Sequence, residues 1–121
     1  MSFPHITFKH NNSDAKRSID DFASQKLSVL EKYIGDETDV ICEVEFEKAA
    51  SQNSGAICRV EVNLWVGGVL YRAESTQITY EAAVDIVKDE LDREMRKANS
   101  KRSSLMRKGG RMIKEMIRFG K

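Results

Sequence analysis

Apolar residues recur at every second position through two segments that meet at Gly67-Gly68, and a helix cannot gather that pattern on one side. Before the glycines, Cys58, Val60, Val62, Leu64 and Val66 are in phase. Two residues free to take positive φ make a two-residue hairpin loop, which sets Val66 against Val69, Leu64 against Tyr71 and Val62 against Ala73. That register keeps the same face apolar on both strands, whereas a slip of one residue would turn every apolar side chain to water. Val40 to Lys48 alternates too, with Val40, Cys42, Val44 and Phe46 inward and Ile41, Glu43, Glu45 and Glu47 outward. The turn-rich run Ser51–Gly55 joins it to the hairpin. Phe3 to Lys9 reads as a short strand, with Ile6 and Phe8 on one side and His5, Thr7 and Lys9 on the other.

Two segments follow the helical period instead. Ile19, Phe22, Ala23, Leu27, Leu30 and Ile34 recur at steps of three and four, with Ser13 as the expected N-cap, Asp14 in the first turn and Gly35 as the terminator. After Thr79, a second N-cap, the residues Tyr80, Ala83, Val84, Val87, Leu91 and Met95 trace another helix. The order is β-α-β-β-β-α, and every element has a single apolar side. The fold class is therefore α+β, a four-stranded sheet with two helices packed on one face. Residues 1–100 form one domain, and residues 101–121 form a basic, flexible tail.

Composition narrows what this domain can do. No run approaches eighteen apolar residues, and the Met-Ser-Phe-Pro-His start lacks the pattern of a secretory signal, which predicts a cytoplasmic protein with no membrane partner. Cys42 and Cys58 both point inward; a turn centred on Ser51–Gly55 sets Cys42 near Val62 and Cys58 near Phe46, roughly 13 Å out of step and too far for a disulfide. His5 and His10 have no metal-ligand spacing. Pairs such as Asp20/Asp21 and Asp89/Glu90 sit on solvated helix faces, so no catalytic, metal or cofactor site is expected.

The charge is segregated. Residues 1–100 hold 12 Lys and Arg against 18 Asp and Glu, whereas residues 101–121 hold 8 basic residues and only Glu115. The sheet's outward face collects Glu43, Glu45, Glu47, Glu61 and Glu74 against Arg59 and Arg72, with Ile41, Trp65 and Leu70 as an apolar patch near one end. Such a face repels a polyanion and lacks the basic, base-stacking character of sheet-type RNA binders. The basic stripe Arg93, Arg96 and Lys97 continues into Lys101, Arg102, Arg107 and Lys108, and arginine forks on a cluster suit phosphate oxygens. Beyond Gly109-Gly110, Met112, Ile113, Met116 and Ile117 share one helical face among Arg111, Lys114 and Arg118, a segment able to fold on a partner or an anionic surface.

Several short segments in the same order resemble a known family. These are Lys26-Leu27-Ser28-Val29-Leu30-Glu31-Lys32-Tyr33, Gly67-Gly68-Val69-Leu70, Tyr80-Glu81-Ala82-Ala83-Val84-Asp85 and Leu91-Asp92-Arg93-Glu94-Met95-Arg96-Lys97. Together with the element order, they resemble the ribosome hibernation factors, the ribosome-associated inhibitor and sigma-factor modulation protein family, from about Phe3 to Arg102. The resemblance implies a non-catalytic translation inhibitor, a monomer off the ribosome. It would bind the small ribosomal subunit and its ribosomal RNA in the mRNA and tRNA channel, near the decoding region, during stress or stationary phase. Carried over by position, Lys26, Arg93, Arg96 and Lys97 are the RNA contacts, continued by Lys101, Arg102, Arg107 and Lys108. Asp20 stands where many members have arginine, Glu90 where many have lysine, and Tyr80 lies one residue further from Asp85 than the family tyrosine, which shifts weight to the tail. The chain resembles the short forms, with no room for the second domain of long members. The competing reading is a protein-interaction module whose acidic sheet takes a basic partner such as a transcription factor; a small enzyme is a third and weaker one.

Overall fold

The computed structural model describes residues 3–13, 15–48 and 57–108. The elements are β1 (Ile6–Asn11), α1 (Arg17–Leu27), a 3-10 segment (Ser28–Tyr33), β2 (Val40–Lys48), β3 (Cys58–Val66), β4 (Val69–Gln77) and α2 (Tyr80–Lys108). The four strands form one mixed sheet in the order β1-β2-β3-β4, with β1 parallel to β2 and the other neighbours antiparallel. The expected β-α-β-β-β-α order is the observed one.

Alternation decides the layering. Cys42, Val44 and Phe46 of β2, Val60, Val62 and Leu64 of β3, and Ala73 of β4 are all buried. They meet Ile19, Ala23 and Leu27 of α1 and Ala83, Val84, Val87, Leu91 and Met95 of α2 in one core. Phe22 is only partly buried at its edge. The β3–β4 register is the one the glycine pair dictates: Val66 faces Val69, Leu64 faces Tyr71 and Val62 faces Ala73. Gly67 and Gly68 have φ of 57° and 85°, a backbone conformation that favours glycine at both positions; the Glu37 carboxylate that a Cβ on Gly67 would meet is the free end of an exposed side chain and can swing aside.

Three local details differ from the expectation. First, α1 begins at Arg17 with Lys16 at the N-cap position. Ser13 instead accepts a hydrogen bond from the Ala15 amide at 2.9 Å and donates one to the Tyr80 hydroxyl at 3.0 Å, tying the β1–α1 turn to α2. Asp14 lies outside the described residues. Second, the helix does not run unbroken to Ile34. The Ser28 hydroxyl donates back to the Gln25 carbonyl at 2.6 Å, and from there the chain tightens into the 3-10 segment, in which Leu30 stays fully buried. Third, Cys42 pairs with Leu64 and Cys58 with Lys48, not with Val62 and Phe46: the β2–β3 register is symmetric about position 53, the middle of Ser51–Gly55, and that centre sets each pair two residues further along than expected. Six residues now separate the cysteines along the strands, and both are free thiols. Burial pushes the Cys42 thiol up to about 12, which keeps it neutral and unreactive.

Leu27→Ala and Phe46→Ala should each lower the unfolding free energy by about 2–5 kcal/mol in urea titrations. Leu70→Ala, whose side chain is 47% exposed on the other face of the sheet, should change it by less than about 0.5 kcal/mol.

Candidate nucleic-acid interface

The basic candidates gather on α2. Its first turns carry Glu81, Asp85 and Asp89, and basic side chains become frequent from Arg93 onward. That order suits the helix macrodipole at both ends, so the local field and the charge pattern reinforce each other. At helical spacing Arg96 continues the row Asp85, Asp89 and Asp92, while Arg93 and Lys97, four apart, form the adjoining row. All three cations are exposed. Among the described residues none of the three is held in an ion pair, although Arg96 lies near enough to Asp92 to help lower its carboxyl pKa. Three exposed, uncommitted cations on a rigid helix are free to meet phosphates.

Lys26 is differently placed. Its ammonium pairs with Asp85 at 3.3 Å, across from α1 to α2, and lies 5.4 Å from the Phe22 ring centroid. It sits beside the α2 basic stripe, about 12 Å further back along the helix axis, and its charge is partly spent on Asp85. Lys101 is exposed on the same helix. Arg102, Arg107 and Lys108 belong to the tail in the sequence reading, yet α2 carries their backbone in helical form to Lys108. Asn99 lines a hollow with Gly67 and Val69 at the hairpin tip, so the nine residues after it take the helix about 13 Å further. Residues 109–121, the rest of the expected tail, lie outside the described residues.

The frame beneath this stripe includes a link that sequence reasoning missed. The Tyr33 hydroxyl donates to Asp92 at 2.5 Å, joining the 3-10 segment to α2 one turn before Arg96. The bond raises the Tyr33 pKa and lowers that of Asp92, so the link holds across the neutral range. A tyrosine on the inner rim of one helix and an aspartate on another give no sequence signal of pairing. Between α2 and β4, Glu90, Arg93 and Glu94 line an open cleft of about 430 Å³ with Leu70, Tyr71 and Arg72. It is shallow and carries both signs of charge, which suits a boundary between two surfaces better than a ligand pocket.

The sheet's outward face is acidic, as its register predicts, and has an internal order of its own. Arg59 donates to Glu47 at 3.3 Å and Glu61 at 2.7 Å, and also to Glu74. Arg72 adds pairs with Glu61 at 3.0 Å and Glu74 at 3.8 Å. Two arginines thus tie three glutamates, while Glu43 and Glu45 have no ion pair among the described residues. Among the described residues no group of three or more His, Cys, Asp or Glu side chains is arranged to hold a metal. His10 is paired with Asp20 at 3.0 Å and stacked on Phe46. No helix among the described residues is long and apolar enough to cross a membrane.

The hydrogen bond from Arg59 holds the Glu61 carboxyl below its usual 4.5, against the opposing effect of burial. A depressed folded-state pKa contributes stability above the unfolded value and loses it as pH falls through the folded value. Arg59→Gln should therefore be less stable than the parent at pH 7, and that difference should shrink as pH drops below about 4. Carboxyl NMR titration should show Glu61 moving upward in the variant.

A sequence model of the sigma 54 modulation protein / S30EA ribosomal protein family matches residues 5–103. The N-terminal domain of Protein Y from Thermus thermophilus superposes with a TM-score of 0.63 at 23% identity, covering 75% of this chain and 93% of that one. A ribosomal subunit interface protein from Coxiella burnetii gives 0.63 at 16% identity, covering 80% and 99%. Both likenesses are of fold.

Proposed function

Because the chain belongs to the sigma 54 modulation protein / S30EA ribosomal protein family, we propose that it is a non-catalytic ribosome hibernation factor that binds the small ribosomal subunit. The observation that carries the reading is the exposed, unpaired set Arg93, Arg96 and Lys97, aligned on a helix that extends past the body of the domain. Ribosomal RNA is the polyanion such a stripe fits, and the fold matches a protein described as a ribosomal subunit interface protein. In this reading α2 lies on RNA with Lys101, Arg102, Arg107 and Lys108 extending the contact. Lys26 joins from α1 when phosphate competes with Asp85. The site is the mRNA and tRNA channel near the decoding region, occupied in the cytoplasm under stress or in stationary phase, and occupancy stops translation.

Co-sedimentation with small subunits tests this directly. Reversing Arg93, Arg96 and Lys97 to Glu should abolish association and leave the fold intact, since all three are solvated. Replacing Glu43, Glu45 and Glu47 by Gln should leave association unchanged or improve it by reducing repulsion. The opposite ranking would move the RNA-facing surface to the sheet and overturn the reading. Deleting residues 103–121 removes six positive charges and one negative, so affinity should fall and its salt dependence become shallower.

A further inference from the structure

The outward face of the sheet takes no part in the RNA reading, yet it is built with two distinct zones. The register aligns Ile41, Trp65 and Leu70 in one row across β2, β3 and β4. Ile41 is 52% and Leu70 47% exposed, and Trp65 between them is half-buried. The row spans two strand spacings, about 10 Å. The next rows bring Glu43, Asn63 and Arg72, then Glu45, Glu61 and Glu74. Glu43 and Glu45, nearest the apolar row on β2, are the two glutamates the arginine ties leave out; Lys9 stands beside Glu45 in the register without pairing to it. An exposed apolar row bordered by unpaired carboxylates suits a segment that carries apolar residues on one side and cations around them.

This chain contains such a segment. Met112, Ile113, Met116 and Ile117 fall on one side of a helical turn pattern, with Arg111, Lys114 and Arg118 flanking them and Glu115 the lone acid. Coiled as a helix, residues 111–119 would be about 13 Å long, a match to the row. Nine residues are too few to hold a helix alone in water, so the segment needs a surface to fold on. Reach decides whose surface it is. After Lys108, about 13 Å past the hairpin tip, a segment docked on its own sheet would have to return that distance and also pass around the sheet layer, about 10 Å thick. Gly109 and Gly110 span only about 7 Å.

We propose that residues 111–119 of one molecule dock as an amphipathic helix on the Ile41–Trp65–Leu70 row and the adjoining Glu43 and Glu45 of a second molecule. A reciprocal exchange of the two segments closes the pair as a two-fold dimer, in place of the monomer read from the sequence. The inference does not rest on the RNA reading, but the two interact, because the segment cannot hold RNA and a partner's sheet at once.

The test uses the full chain. Sedimentation velocity over a concentration series should show a monomer–dimer equilibrium. The emission of Trp65, the only tryptophan, should shift to the blue as the dimer forms. Ile113→Asp with Ile117→Asp in the segment, and Glu43→Lys with Glu45→Lys on the sheet, should each weaken association by about tenfold or more. Adding Arg111→Glu and Lys114→Glu to the lysine pair should restore it. A monomer at every concentration overturns the proposal. So does blue-shifted emission that ignores concentration, which would mean docking within one molecule, and so does a dimer that survives both pairs of substitutions.

Discussion

Phe46 is where the two halves of the fold are joined. It is fully buried on β2 and stacks on Phe8 and His10 of β1, at 6.1 and 5.1 Å, while Tyr80 at the start of α2 meets it edge-on at 5.7 Å. The antiparallel strands are held by tight sequence neighbours, but β1 reaches β2 in parallel through the whole of α1 and the 3-10 segment. A parallel pair with so long a crossover has no turn to fix its register, so side-chain packing has to do so. Aromatic contacts contribute beyond the area they bury, and here they bind the first strand, the second strand and the last helix around one ring. The Ser13–Tyr80 and His10–Asp20 hydrogen bonds sit on the rim of the same cluster.

One-sided burial follows from that arrangement, and function follows from one-sided burial. Both helices are needed to cover the single apolar face, which leaves the other sheet face uncovered by either helix. The protein therefore has two surfaces whose chemistry can be set independently. The helix surface concentrates uncommitted cations toward the end of α2. The sheet surface concentrates carboxylates, three of them tied by Arg59 and Arg72 so that their mutual repulsion does not loosen the strands. Tying glutamates this way stabilises a crowded acidic face at little cost, because the pairs stay partly solvated.

Much of this was legible in the sequence because it depends on short-range periodicity. The β3–β4 register, with Trp65 opposite Leu70, was predictable residue by residue, since a two-glycine loop permits one pairing and alternation checks it. The β2–β3 register is centred on position 53, the middle of Ser51–Gly55, so the place of that turn was legible too, and it implies Cys42 opposite Leu64 and not the expected Val62. The N-terminus of α1 was misplaced for a long-range reason: Ser13 has the side chain of a cap, and its use as a tether to Tyr80 depends on a residue 67 positions away. For the candidate interface, the basic stripe could be read directly. That Lys26 is paired and Arg93, Arg96 and Lys97 are not could only come from how α1 crosses α2.

A net charge of +1 suggests a protein nearly indifferent to electric fields, and the arrangement of α2 against the sheet says otherwise. Cations toward one end of a long helix and carboxylates on the far side of a thin two-layer domain give the molecule a large permanent dipole moment. In the field of a polyanion such a molecule experiences a torque before it experiences much net attraction. It turns the end of α2 forward while still a Debye length away, about 8 Å at physiological ionic strength. The fraction of collisions that begin in a usable orientation rises accordingly, which speeds encounter without adding any contact to the final complex.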